Sequence, residues 1–316
     1  MKPVTFNHAM QLAVLRIGVA LTILAKILVE FDQLDMLFSQ HGIIQDVLTK
    51  PLDVSYALSL PKVIEFFGIR NEHLFLTGLY AVFGLAACFL LFGLYTKIST
   101  FICLLIHLMV FNGYNLLAFG FDGFLFTLLF YTLIFPVQKV FSLDQLMSKK
   151  VQTIVPERLN LYLRVLQIHL CIVYFTAGFS KLGGQEWMNG TAIWQAINQP
   201  QFYTDLTPFV KALASYPWVS ALLTWGTLAV ELFFPLLIWV KWGKMQAFVL
   251  IGVLLMHVFI GAAMGLQMFA WIMIVFDLSA FGGILFKWSN QLFLAIFDRK
   301  SNAYEEEISG LNGCRN

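Results

Sequence analysis

Eight stretches of this 316-residue chain run for roughly 20 residues with few charges: 11–30, 73–94, 98–117, 120–137, 160–181, 218–240, 245–265 and 267–286. In hydrocarbon, backbone N–H and C=O groups must be bonded within the segment, so such runs read as helices, and their lengths match a bilayer core. The predicted fold is all-α: a polytopic membrane bundle of about eight transmembrane helices. Composition points the same way. Hydrophobic residues make up 59% and charged residues 12%, half the ~25% usual in soluble domains. So few charges exclude a soluble enzyme, a disordered chain and a nucleic-acid binder. The net charge of +2 adds no argument for a polyanionic partner.

Two long segments interrupt the runs. Residues 31–72 form an amphipathic insert containing Pro51 and Pro61, and residues 182–217, rich in Trp, Gln, Asn and Pro, form a loop that lies on or dips into the membrane surface or lids Lys181. The first run follows a start without a small-residue cleavage site and reads as a retained span. Of the 20 Lys and Arg, twelve fall on the N-terminal side of the bundle, five on the opposite side and three inside spans. By the positive-inside rule both termini are cytoplasmic. Cys88, Cys103, Cys171 and Cys314 form no CxxC pair, and three of them sit in apolar runs, so neither a disulfide framework nor a metal site is expected.

The two halves echo each other. LAVLRIG at 12–18 parallels LYLRVLQ at 161–167, and LFGLYTKIST at 91–100 parallels IWVKWGKMQA at 238–247. Arg16 and Arg164 occupy like positions, as do Lys97 and Lys244, and each lysine precedes a helix with a mid-span histidine, His107 or His257. This predicts two parallel four-helix repeats, over 1–150 and 151–290, followed by a short cytoplasmic tail at 291–316.

Charges at membrane depth are costly unless paired or hydrated, which marks them as structural or functional. Arg16 and Arg164 lie near span ends and can snorkel to phosphates. Glu231, in TLAVELFFPLL, is either a partner for an arginine or Lys26, or a chemical group. Asp277 admits both readings. Asp122 opens its helix, where a carboxylate complements the helix dipole. His257 can shuttle protons, hold a quinone oxygen or bond a neighbouring helix. Lys181 ends the fifth run in CIVYFTAGFSKLGGQEWMNG. A lysine in an apolar cavity can act as a base; an interfacial lysine looks the same in sequence. Lys181 and Asp122 fall in the outer half, where one extracytoplasmic site can hold them with His257.

YFTAGFSKLGGQEWMNG resembles the signature of the HTTM family, the membrane domain of vitamin K-dependent gamma-carboxylases: Tyr174, Phe175, Ala177, Gly178, Lys181, Leu182, Trp187 and Gly190 match, with the Lys-Leu-to-Trp spacing one residue longer than in the animal enzyme. MHVFIGAAMGLQMFAWIMI resembles the segment holding a functional histidine, here His257, and FSLDQL at 141–146 a Ser-x-Asp stretch after the fourth span. The resemblance implies a reduced naphthoquinone (vitamin K hydroquinone or menaquinol) as cofactor, with oxygen and carbon dioxide as co-substrates. It implies Lys181 as the base, His257 orienting or protonating quinone oxygens, and Asp122 where the family has another histidine. We place Trp187, Tyr174 and Glu231 around the cofactor. The carboxylases carry a large domain after the bundle, so this chain is more similar to short bacterial members, including a type that helps mature a secreted toxin. The halves also resemble DoxX-like four-helix proteins linked to quinone chemistry.

The leading expectation is therefore an enzyme of the bacterial plasma membrane that couples quinol oxygenation to modification of an exported peptide, with its site facing outward. A non-enzymatic maturation partner for a secreted peptide, and a small-molecule transporter, are the alternatives.

Overall fold

The computed structural model describes residues 6–39, 42–43, 58–113, 119–148 and 155–286. Those residues are helical, with no strand among them. The long helices are α1 (Phe6–Glu30), α4 (Glu72–Phe92), α5 (Thr96–Gly113), α6 (Gly120–Ile134), α8 (Pro156–Lys181), α12 (Pro217–Leu237), α13 (Gly243–Met264) and α14 (Gln267–Phe281). Short helices lie between them: α2 (Leu34–Phe38), α3 (Leu60–Phe67), α7 (Leu143–Met147), α9 (Gln185–Met188), α10 (Ala192–Ile197) and α11 (Thr207–Ala214).

The chain is an integral membrane protein. Among the described residues, six helical segments are long and apolar enough to cross a bilayer: Asn7–Phe38, Glu72–Phe92, Thr96–Gly113, Glu157–Lys181, Pro217–Leu237 and Gly243–Met264. The other two expected spans, α6 and α14, are shorter apolar helices. Each has 15 residues, or ~22 Å at 1.5 Å per residue, against a ~30 Å hydrocarbon core. Local chemistry stops both. Before Pro136, Phe135 turns extended (ψ 151°) and ends α6, while α14 runs between Gly265, at φ +71°, and Gly282. Both are interior helices. α14 packs on α1, α13, α6 and α8, and α6 on α1, α5 and α14.

Packing closes two rings. α1, α4, α5 and α6 touch in sequence and α6 returns to α1; α8, α12, α13 and α14 do the same, with α14 returning to α8. The rings meet along α1 and α14, where Leu12, Leu15, Val19, Ile272, Val275 and Phe276 join one continuous core.

The 182–217 segment is a small folded cap. α9, α10 and α11 pack on the first half of α12. Ser220 Oγ donates to the Gly190 carbonyl at 2.9 Å, and the Trp225 indole N–H donates to the Trp187 carbonyl at 3.1 Å. Ile193, Ile197, Val210 and Ala214 form a core of their own with Ala263 at the end of α13. The insert at 31–72 is helical at both described ends, over α2 and α3; its middle, like the tail at 291–316, lies outside the described residues.

Candidate functional site

The buried charges pair with residues far away in sequence. Arg16 is 1% exposed. It does not snorkel: its guanidinium donates to the carbonyls of Leu90 (2.9 Å), Leu91 (2.6 Å) and Phe141 (2.6 Å). The first two belong to the last turn of α4, whose carbonyls lack helical partners and carry the negative end of the dipole. Lys97 treats α6 the same way, donating to Thr132, Leu133 and Phe135 carbonyls. Arg164 lies 4.5 Å from the ring of Trp239, just past α12. Asp144, in the FSLDQL stretch, accepts from Tyr95 N and Thr96 N at 2.8 Å and caps α5.

Lys181 sits in the last turn of α8 and donates to both oxygens of Glu231, each at 2.6 Å. Glu231 thus pairs with Lys181 rather than with an arginine or Lys26. Lys181 also lies 5.2 Å from the Trp187 ring. The lysine side chain keeps 24% of its exposure and the glutamate 10%. Two signature glycines build this corner. A Cβ on Gly178 would stand 3.1 Å from the Glu231 Cβ and 2.9 Å from Leu232, so glycine lets α12 approach α8 one turn before the lysine. Gly190, at φ +72°, carries the chain from α9 onto α12 within reach of Ala221. On α12 itself, Pro235 has no N–H to return to the Glu231 carbonyl four residues back, so the helical ladder is open at this residue.

Two turns down α8 from Lys181, on the same face, Tyr174 forms a second group. Its hydroxyl lies 2.8 Å from His257 Nε2 and donates to Asp277 Oδ1 and Oδ2 at 3.0 and 3.1 Å. All three residues are 2% exposed or less. His257 Nδ1 has no hydrogen-bond partner among the described residues. The ring of Phe234, one turn from Glu231, lies 4.4 Å from that of Tyr174, so the two groups sit at successive levels of one interface.

Asp122 joins neither. Its Oδ2 accepts from Phe119 N at 2.9 Å, the helix-start role expected from sequence, and its Oδ1 accepts from Lys26 at 2.9 Å. Lys26 also donates to Glu30 at 2.7 Å, and Tyr80 donates to the other Glu30 oxygen at 2.8 Å. His107 Nε2 lies 2.9 Å from the Asp122 carbonyl oxygen. Lys26, Glu30 and Asp122 form one wall of a cavity of about 480 Å³ between the end of α1, the start of α6 and the α13–α14 turn. The structure therefore places Lys181, Glu231 and Trp187 together, Tyr174 and His257 together beneath them, and Asp122 in the other ring. Asp277, Glu30 and Tyr80 complete these groups without having been assigned to a site from sequence. Glu30 and Asp277 carried a signal, as carboxylates in or beside apolar runs; Tyr80 carried none.

The HTTM domain profile matches residues 6–281. One curated relative, "Uncharacterized protein YitO" of Bacillus subtilis (strain 168), is 33% identical over 115 residues, covering 34% of this chain and 35% of that protein. The match therefore spans about a third of each chain. No solved structure matches.

Proposed function

The chain belongs to the HTTM family, and from that premise we propose that it is a quinol-dependent membrane enzyme whose base is the Lys181–Glu231 pair. The observation that carries this reading is the bidentate pair itself. It lies beside an indole face, in the family's lysine motif, one level above Tyr174, His257 and Asp277.

A lysine acts as a base only as a neutral amine. Glu231, with both oxygens in contact, can take the ammonium proton and hold it nearby, which leaves a neutral amine to accept one substrate proton; the pair then carries one added positive charge, balanced by the substrate anion. The residues fit a reduced naphthoquinone: a base for a hydroxyl, an acceptor for its proton, and the flat face of Trp187 for a ring. When bound, the reduced quinone with oxygen supplies the strong base that the family's chemistry requires. His257 contributes a fixed imidazole. With Tyr174 donating to Asp277, the histidine's Nε2–H faces the phenol oxygen, which leaves Nδ1 as an acceptor. Its place beneath the lysine supports a role in positioning or proton transfer.

The remaining assignments belong to the same proposal. The two rings are two parallel repeats, both termini are cytoplasmic, and the protein resides in a bacterial plasma membrane. The cap at 185–214 then faces outward, where an exported peptide is the acceptor, with carbon dioxide as a co-substrate. The decisive experiment gives purified protein a reduced naphthoquinone and oxygen and looks for the epoxide by mass spectrometry. Epoxide that falls at least ~100-fold, the range of a lost general base, in Lys181→Ala supports the reading. No epoxide from several quinols, in protein shown to be folded, overturns it in favour of a non-enzymatic partner for a secreted peptide, in which the pair only packs α8 against α12.

A further inference from the structure

The cavity of about 480 Å³ between the two rings falls within the size range of small-molecule sites and is not part of the Lys181 corner. Five phenylalanines line it (Phe38, Phe111, Phe119, Phe121 and Phe269), and Lys26, Glu30 and Asp122 supply its charge.

The bonding of that charged wall is unbalanced. One ammonium meets two carboxylates. Lys26 spends two of its three N–H donors on Glu30 and Asp122. Glu30 receives one bond on each oxygen, from Lys26 and Tyr80. Asp122 likewise receives one on each, from Lys26 and Phe119 N. A carboxylate accepts about four bonds, so among the described residues both keep free acceptor capacity where they line the cavity. His107 adds no counter-charge by geometry: its Nε2 meets the Asp122 carbonyl, and Nδ1 has no partner among the described residues to receive a second proton. With all three charges in place, the described residues of the wall carry one net negative charge at membrane depth, which is costly unless something positive neutralises it. Aromatic faces around a negative wall suit a cation with an apolar body.

We propose that this cavity is a binding site for an apolar molecule bearing a single ammonium group, the ammonium meeting Glu30 and Asp122 and the apolar body lying among the phenylalanines. The site is independent of the Lys181 chemistry. An anionic ligand adds to the negative charge and is rejected; a neutral one leaves the charge unbalanced.

The test is calorimetric titration of the protein in lipid nanodiscs, with empty nanodiscs subtracted. The probes are 4-phenylbutylammonium, the similarly shaped neutral 5-phenylpentanol and 5-phenylpentanoate. Saturable binding of the ammonium, at least tenfold tighter than of the alcohol and with none of the carboxylate, is expected. Glu30→Gln removes that preference, and Met268→Trp, which narrows the cavity without touching a charge, weakens binding of both the ammonium and the alcohol. Lys181→Ala leaves all of it unchanged, so a failed epoxide assay and a failed titration are separate results. Equal affinity for alcohol and ammonium overturns the proposal and assigns the balancing charge to a proton on one carboxylate. Absence of saturable ammonium binding by folded protein overturns it, as does binding left unchanged by both substitutions.

Discussion

At the scale of single residues, the polar groups of this bundle sort by what they can exchange. Arg16 holds three carbonyls and is covered by protein. Arg16→Met removes those bonds and leaves helix-end carbonyls without donors, so it costs about 3 kcal/mol, read as a lowered midpoint of thermal unfolding in detergent, with no specific effect on turnover per folded molecule. Glu231→Gln separates packing from proton transfer. Glutamine keeps the shape and one acceptor oxygen but cannot take the lysine's proton. Epoxide formation should fall as steeply as in Lys181→Ala while the unfolding midpoint moves little; retained turnover would reduce the pair to a packing contact. Tyr174→Phe takes from Asp277, which is fully buried, its hydroxyl donor and leaves His257 Nε2 at 3.7 Å as the nearest replacement among the described residues. That predicts a loss of stability of about 1–3 kcal/mol, and the same unfolding measurement checks it.

At the scale of elements, the apolar runs in the sequence mark the helices well. The expected span at 73–94 is the helix Glu72–Phe92, and that at 245–265 is Gly243–Met264. Hydrocarbon enforces helix wherever such a run occurs, so the signal is strong. The partners of the charges were not legible for the opposite reason. Lys181 and Glu231 are 50 residues apart, and Lys26 and Asp122 are 96 apart. No periodicity within one helix states which residue on another helix it will face. The cap at 182–217 shows no long apolar run in the sequence because α9, α10 and α11 are too short; they fold by packing on α12. Interhelical approach yields a prediction at this scale. Gly178→Leu forces α8 away from Glu231 and Leu232. Overpacking of this kind costs about 1–3 kcal/mol, and the displaced helix should break the Lys181–Glu231 pair, so activity should fall further than stability does. Turnover per folded molecule, measured beside Gly178→Ala, checks this, and unchanged turnover in both variants would argue against the close approach.

At the scale of the whole molecule, what remains is direction. The cap packs on the end of α13, and the turn that follows α13 lines the cavity wall opposite Lys26. Lys181, the cap and the cavity mouth therefore belong to one end of the bundle, and any orientation carries them together. The other end holds Arg16, Lys97, Asp144 and the short helix α7. The proposed orientation puts that second end in the cytoplasm. Single cysteines in a background without the native four resolve this in intact cells. Ala212→Cys lies on the exposed side of the cap, and Gln145→Cys lies on the exposed side of α7. A membrane-impermeant maleimide should label position 212 directly and position 145 only after the membrane is opened. The reverse pattern would turn the Lys181 corner toward the cytoplasm, and an exported peptide could then reach it only before export. Labelling of both positions in intact cells would mean that an even number of segments crosses between them, and α8, the long helix that separates them among the described residues, would then not be a crossing.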